Sequence, residues 1–374
     1  MMRRGACPSL AAPMASGDGL IARMALPEGL SPGQLAGLAA AATRYGNGLV
    51  EVTARGSLQV RGLRPETAGG FADTLAGLRI LPAEGPPVLT GPLAGLDPEE
   101  IADPRPLAAA LRRFDGVLLP KVSAVVDGGG ALHLDAVPAD LRLRATPKGW
   151  VVAVGGAAAA ARVIGRYPVA EDAVAAGLAV LARLSAAGVR ARDLDIGPAA
   201  GLPMRDPACP VGRFALVDGI GRGVALAFGK VEATALAALA GAVEGAAAIR
   251  PAPGRAVIAV GLSDAADRRL VAAAERLGLV TDPGDARLRV VACAGAPACG
   301  AALLPTRAIA GRLAGRVALP AGARLHLSGC PKRCAQPAGP AVTLVGTPGG
   351  PMVTGEGTTV AAALGARLLE EARA

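Results

Sequence analysis

A strand, a helix and a hairpin follow one another twice in this chain, about two hundred residues apart. A repeat of that size limits the possible folds more than any single segment does. In the first copy GLIARMAL reads as a strand and SPGQLAGLAAAATRYG as a helix. Ser31 suits the N-cap, Pro32 the first turn and Gln34 the capping-box position, and Gly46 ends the helix. LVEVTARGSLQVRGL then reads as a hairpin turning at Ala54 to Ser57, and a second helix near Pro65 to Leu78 closes the unit. Residues 223 to 262 repeat the order, and their ending VIAVGL echoes LQVRGL. The lead-ins also match, GDG before the first unit and DGIGRG before the second.

An α/β segment follows each copy. The first contains LLPKVSAVVDGGG, a strand running into a glycine turn, then the buried strand WVVAVGG and the helix EDAVAAGLAVLARLSAAG. The second contains the helix DAADRRLVAAAERLG, strand-like runs at Arg287 to Ala292 and Arg324 to Leu327, the strand AVTLVG and a closing helix TTVAAALGARLLEEARA. The Pro/Gly-rich residues 197 to 212 divide the halves. The expected layout is an α+β fold of four parts, 1–82, 83–200, 201–262 and 263–374, in which two like half-units alternate with two α/β segments.

Composition narrows the function. Apolar residues make up 52 % of the chain, which argues against disorder, and the net charge is +9. That charge is almost all arginine, and the arginines are scattered, with seven aromatic residues in the whole chain. Basic clusters and stacking platforms for nucleic acid are therefore missing, whereas a small polyanionic substrate suits the excess. No stretch reaches the ~20 apolar residues of a membrane span, and the start MMRRGACPSLAAPMASGDG has no apolar run behind its basic pair. A cytoplasmic protein is expected, and there grouped cysteines serve as metal ligands or catalytic groups more often than as disulfides.

Four of the six cysteines are grouped. Cys293 and Cys299 form C-x5-C in VACAGAPACG, and Cys330 and Cys334 form C-x3-C in SGCPKRC, each pair after a strand-like run. A structural zinc site accepts the second spacing, but five residues are loose for a zinc knuckle. An iron–sulfur cluster takes four thiolates at more varied spacings and favours small neighbouring residues, which AGAPA and CAQPAG supply. Four unrelated buried thiols is the remaining alternative. A zinc-stabilised binding protein without redox chemistry stays open on these residues alone.

SGCPKRCAQPAGPAVTLVG after C-x5-C resembles the cluster motif of the sulfite and nitrite reductase superfamily, and the alternating layout matches that superfamily over about residues 16 to 350. The resemblance implies ferredoxin-like half-units and a [4Fe–4S] cluster on Cys293, Cys299, Cys330 and Cys334. In the reductases the last cysteine also bridges to siroheme, and Cys334 holds that place. Arg55 in EVTARGSLQ sits where those enzymes bind a tetrapyrrole carboxylate. Lys121 matches one of a lysine pair that serves anionic substrate, but Ser123 stands where the second would align. The arginine expected before VLTGPLAGLDP is also absent. Both departures count against sulfite or nitrite as substrate, so a siroheme-dependent reductase is the alternative reading.

Within the superfamily, RRGACPSLAAPMASGDGL, PLAGLDPEEIADPRPLAAAL and LPKVSAVVDGGG resemble the oxygen-dependent branch of cobalamin biosynthesis. That implies a monooxygenase using dioxygen and an unidentified electron donor to hydroxylate C20 of precorrin-3A, with closure of a γ-lactone. Arg23, Arg55, Arg61, Lys121 and Arg213 are the expected partners of the substrate's carboxylates. A mononuclear non-haem iron is also associated with the family. A site of two histidines and a carboxylate would need both His133 and His326, the chain's only histidines. His326 reads instead as a polar-face residue of its strand, and Cys7 and Cys209 as ordinary thiols. No residue stands out as a catalytic base.

Overall fold

The computed structural model describes residues 7–196, 201–206 and 208–374. The dividing segment at 197–212 is thus described in part, and residues 197–200 and 207 lie outside it. The first unit runs β1 (Met14–Ser16), β2 (Gly19–Met24), α1 (Pro32–Tyr45), β3 (Leu49–Val52), β4 (Leu58–Leu63) and α2 (Pro65–Gly77). Its first helix starts where the side chains dictate. The Ser31 hydroxyl accepts from the Gln34 N–H at 3.2 Å, the Gln34 side chain accepts from the Ser31 N–H at 2.9 Å, and Pro32 fills the first turn. Leu35, Leu38, Ala39 and Ala42 are its buried stripe.

The first α/β segment comprises β5 (Val88–Thr90), α3 (Arg105–Arg112), β6 (Ala124–Asp127), β7 (Leu141–Thr146), β8 (Gly149–Val154), β9 (Arg162–Tyr167) and α4 (Ala170–Ala187). The second unit is β10 (Gly212–Ala215), β11 (Ile220–Ala225), β12 (Lys230–Glu232), α5 (Ala233–Ala242), β13 (Ala248–Ala252) and β14 (Ala256–Leu262). The last segment has α6 (Asp264–Arg276), β15 (Val290–Ala292), α7 (Thr306–Leu313), β16 (Arg324–Ser328), β17 (Ala341–Thr347), β18 (Gly350–Glu356) and α8 (Ala362–Arg373). Four sheets result, ordered β1-β2-β4-β3-β12, β5-β6-β7-β8-β9, β10-β11-β14-β13 and β15-β16-β17-β18. The run Arg287 to Ala292 is strand only in its last three residues, because a 3₁₀ turn capped by Asp285 precedes it.

The two half-units interlock. Past the first strand of each copy, the chain pairs with the hairpin of the other: β12 runs antiparallel to β3, and Leu30 bridges Ile249 through hydrogen bonds of 2.9 and 2.7 Å. Helices α1 and α5 pack together, and one apolar cluster draws on both units, from Leu38 and Phe71 to Leu236 and Leu262. The hairpin tips meet as well. Arg55 bridges Pro253, and the Gly254 N–H donates to the Ala54 carbonyl at 3.2 Å. Gly56 permits this approach, since a Cβ there would stand 2.9 Å from the Ala252 carbonyl carbon. Among the described residues, no helix is long and apolar enough to cross a membrane.

Candidate active site

Strands β15 and β16 are neighbouring and parallel, so the loops leaving their C-terminal ends emerge side by side. These loops carry C-x5-C and C-x3-C, which is why cysteines separated by thirty residues in sequence come together. The Cys293 N–H donates to the Leu327 carbonyl at 3.1 Å, and the Gly329 N–H points at Cys293 Sγ from 3.2 Å. The Thr306 hydroxyl ties down the Cys293 carbonyl at 2.8 Å. Burial, followed by the neighbouring Cys330, Cys293 and Cys299 thiols, pushes the Cys334 thiol above its ordinary range.

The first unit braces these loops. Ser16 donates to the Ala298 carbonyl at 2.8 Å, and Arg61 donates to the same oxygen at 2.6 Å. A Cβ on Gly17 would lie 2.4 Å from the Gly300 nitrogen, so the GDG lead-in abuts the first cysteine loop. Gly17→Ala is expected to cost about 1–3 kcal/mol through overpacking and to displace Cys299. A lowered melting temperature of the purified variant checks this.

A cavity of about 1310 Å³ opens beside the thiols, and Cys293 and Cys334 line it together with Cys7. Arg23, Arg55, Arg61 and Lys121 line it too. Their surroundings differ. Arg23 donates through Nε and Nη2 to Gln59 Oε1, both at 3.0 Å, and among the described residues no carboxylate is bonded to it. Arg55 donates to the Pro138 carbonyl at 2.8 Å and to the Ser123 hydroxyl at 2.9 Å. Ser123, standing where a second lysine was expected, is thus the anchor of Arg55. Lys121 is exposed at φ 71°. Arg61 is 2 % exposed and already neutralised, by Asp18 at 2.7 Å and Glu51 at 3.4 Å.

Arg213 does not join them. It lies on β10, an edge strand, half exposed, and pairs with Asp264 at 2.8 Å and Asp267 at 3.6 Å on α6. The acidic start of that helix draws it to the outer surface. Arg213→Ala is expected to leave ligand binding in the cavity unchanged within twofold and to cost under ~1 kcal/mol of stability.

A family profile described as the nitrite/sulfite reductase ferredoxin-like half domain matches residues 12–78, the first half-unit. A precorrin-3B synthase from Sinorhizobium sp. is 40 % identical over 379 residues, spanning 93 % of this chain and 82 % of that protein. The chain belongs to the precorrin-3B synthase family. The structure of the Mycobacterium tuberculosis NirA protein superposes with a TM-score of 0.70 over 89 % of this chain and 73 % of that one, at 22 % identity. The family is therefore one of oxidoreductases built on the sulfite/nitrite reductase fold, the α+β arrangement read from the repeat.

The histidines of this precorrin-3B synthase family member do not combine into an iron site. His326 is fully buried on β16, its Nδ1 3.3 Å from the Thr343 hydroxyl, and burial lowers its pKa to about 4. His133 Nε2 lies 2.7 Å from the Asp206 carbonyl, on a different sheet's loop. His133, Asp127 and Asp135 do present ligand atoms within 4.8 Å of one another. Arg205 already bridges both carboxylates, at 2.6 Å to Asp127 and 2.9 Å to Asp135, and supplies the positive charge a metal would bring. Cys209 is half-buried against apolar neighbours, as an ordinary thiol would be. Cys7, by contrast, lines the main cavity.

Sequence reading missed Glu51, Arg112, Arg190, Arg255 and Arg307, all of which line the cavity. Glu51 organises one wall: Arg307 and Gln59 donate to its carboxylate, and Arg61 stands on its other side. Burial raises its pKa, but Arg307 and Arg61 outweigh that and hold the carboxyl below the usual range. Only Arg255 carried a sequence signal, since it sits at the hairpin tip of the second copy as Arg55 does in the first.

Proposed function

We propose that the chain is a cytoplasmic monooxygenase that converts precorrin-3A to its C20-hydroxylated γ-lactone. The cavity would hold the tetrapyrrole, and the four grouped cysteines a [4Fe–4S] cluster. The observation that carries this reading is the coincidence of the thiols with a large cavity whose lining includes cations with no protein carboxylate bonded to them among the described residues. Arg23, Arg55 and Lys121 offer charge to the substrate's carboxylates, and Arg55 presents a guanidinium fixed by Pro138 and Ser123. Arg61 serves a different end, by locking the first cysteine loop through Ala298.

Cys293, Cys299, Cys330 and Cys334 would be the cluster's ligands, with the Gly329 N–H bonded to the Cys293 sulfur as donors around such clusters are. When bound, the cluster supplies single electrons, which reach it from a donor outside the chain. In the net reaction one oxygen atom enters the product and the other leaves as water, with the electrons from that donor and protons from solvent. The histidines do not fit a two-histidine, one-carboxylate iron, so no step is assigned to one.

Cys334 also lines the cavity, which favours siroheme as the second reading. An absorption spectrum of anaerobically purified protein, with iron and sulfide assays, separates the two. About four sulfides per chain without porphyrin bands, followed by oxygen-dependent turnover of precorrin-3A, is the expected result. Tightly bound siroheme with its sharp Soret band would overturn it in favour of a reductase.

A further inference from the structure

We propose that Arg255, at the tip of the second half-unit's hairpin, binds a substrate carboxylate in the cavity. This rests on the reading of the cavity as a tetrapyrrole site. The cavity's cations fall into two groups by what already faces them. Arg61, Arg190 and Arg307 are paired with protein carboxylates, on Asp18, Asp140 and Glu51. Arg255 has no such partner. Among the described residues nothing accepts a hydrogen bond from its guanidinium, and its charged neighbours are Arg324, Arg307 and Glu51. Glu51 is itself held by Arg307 and Arg61. Burial first, then those two arginines, lowers the Arg255 pKa to about 10, which leaves it charged at neutral pH. A half-buried cation beside other cations, with no carboxylate bonded to it, is short of an anion.

The position is built rather than incidental. Arg255 holds φ at 66°, in the left-handed region that is unfavourable for a residue bearing a side chain. Its side chain runs over Gly229, where an added Cβ would stand 2.6 Å from Arg255 Cδ. Phe228, next to that glycine, also has positive φ, at 57°. Non-glycine residues held in this region concentrate at ligand sites, where the surrounding structure sustains the strain. Here Lys121, Phe228 and Arg255 all line the cavity. Because the hairpin tips meet, the repeat delivers an arginine from each copy to one cavity. Arg55 is turned toward Ser123 and tied there, whereas Arg255 stands near Arg307 and is untied.

The test titrates precorrin-3A without oxygen into wild type, Arg255→Asn, Arg55→Ala and the exposed-surface control Arg166→Ala, reading binding by absorbance. Asparagine tolerates positive φ, so Arg255→Asn is expected to fold with unchanged or raised melting temperature. Its dissociation constant should nevertheless rise roughly tenfold to a hundredfold, the loss of one charge-assisted interaction. Arg166→Ala should bind as wild type. Should the asparagine variant not fold, Arg255→Gly, which relieves the backbone, serves the same comparison. Wild-type affinity in Arg255→Asn with weakened binding in Arg55→Ala overturns the role of Arg255 alone. Wild-type affinity in both variants overturns the cavity as the tetrapyrrole site, and this inference with it.

Discussion

Cys330→Ser protein, purified without oxygen, is expected to lose its acid-labile sulfide and any visible absorption that a reductant bleaches. Turnover of precorrin-3A should fall below detection with them. The serine hydroxyl is a far poorer ligand than a thiolate, and a cubane deprived of one of four thiolates is rarely retained intact. Cys334→Ser should behave alike, since its thiol shares the electrostatic environment of the other three. Cys209→Ser is the control, because that thiol lies in a separate apolar cluster. Metal binding also stabilises the fold that makes the site, so the Cys330 variant should melt at lower temperature than the control. Wild-type sulfide content in Cys330→Ser would sink the ligand assignment, and zinc without sulfide in the parent protein would sink the cluster itself.

What the sequence revealed follows from the range of the interactions involved. The start of α1 was legible because Ser31, Pro32 and Gln34 act on backbone groups within one turn. The hairpin at Ala54 to Ser57 was legible for the same reason. The cysteine grouping could be read because each pair follows a strand, although only the parallel pairing of β15 with β16 sets the loops side by side. Arginine roles were harder to read, since a guanidinium's task depends on which distant carboxylate reaches it. Arg61 reads as a ligand contact until Asp18 and Glu51 are found beside it, and Arg213 until Asp264 is. Arg255 went unnoticed through the opposite circumstance, the lack of any such partner. His326 was rightly placed opposite the apolar face of β16, yet that polar face is covered too, beneath the Arg333–Glu356 pair. The strand β12, three residues long, gave no pattern of its own because its partner is β3 of the other half.

Glu51→Gln should lower stability by about 3–5 kcal/mol at neutral pH, the usual cost of removing one member of a buried ion pair. The carboxylate is 5 % exposed and faces two guanidinium groups, and among the described residues Arg307 has no other acid bonded to it. Glutamine keeps the shape but presents Gln59 with a neutral amide in place of the carboxylate it donates to, and leaves Arg307 buried with its charge unmatched. The pH dependence gives a sharper check. Because Glu51's folded pKa is depressed, the unfolded chain takes up the proton first as pH falls. Its stabilising contribution is complete above the unfolded value of about 4.3 and is lost progressively below it. Thermal melts of the two proteins should therefore differ most near neutrality and converge in acid, where wild type loses what the variant never had. A gap that stays constant or widens on acidification would show that the carboxylate is not the anion that Arg307 and Arg61 require. The same variant bears on the cavity, since Gln59 is held by Glu51 on one side and holds Arg23 on the other. Arg23 should become mobile, and affinity for precorrin-3A should fall by roughly the tenfold expected when a charged contact loses its fixed orientation.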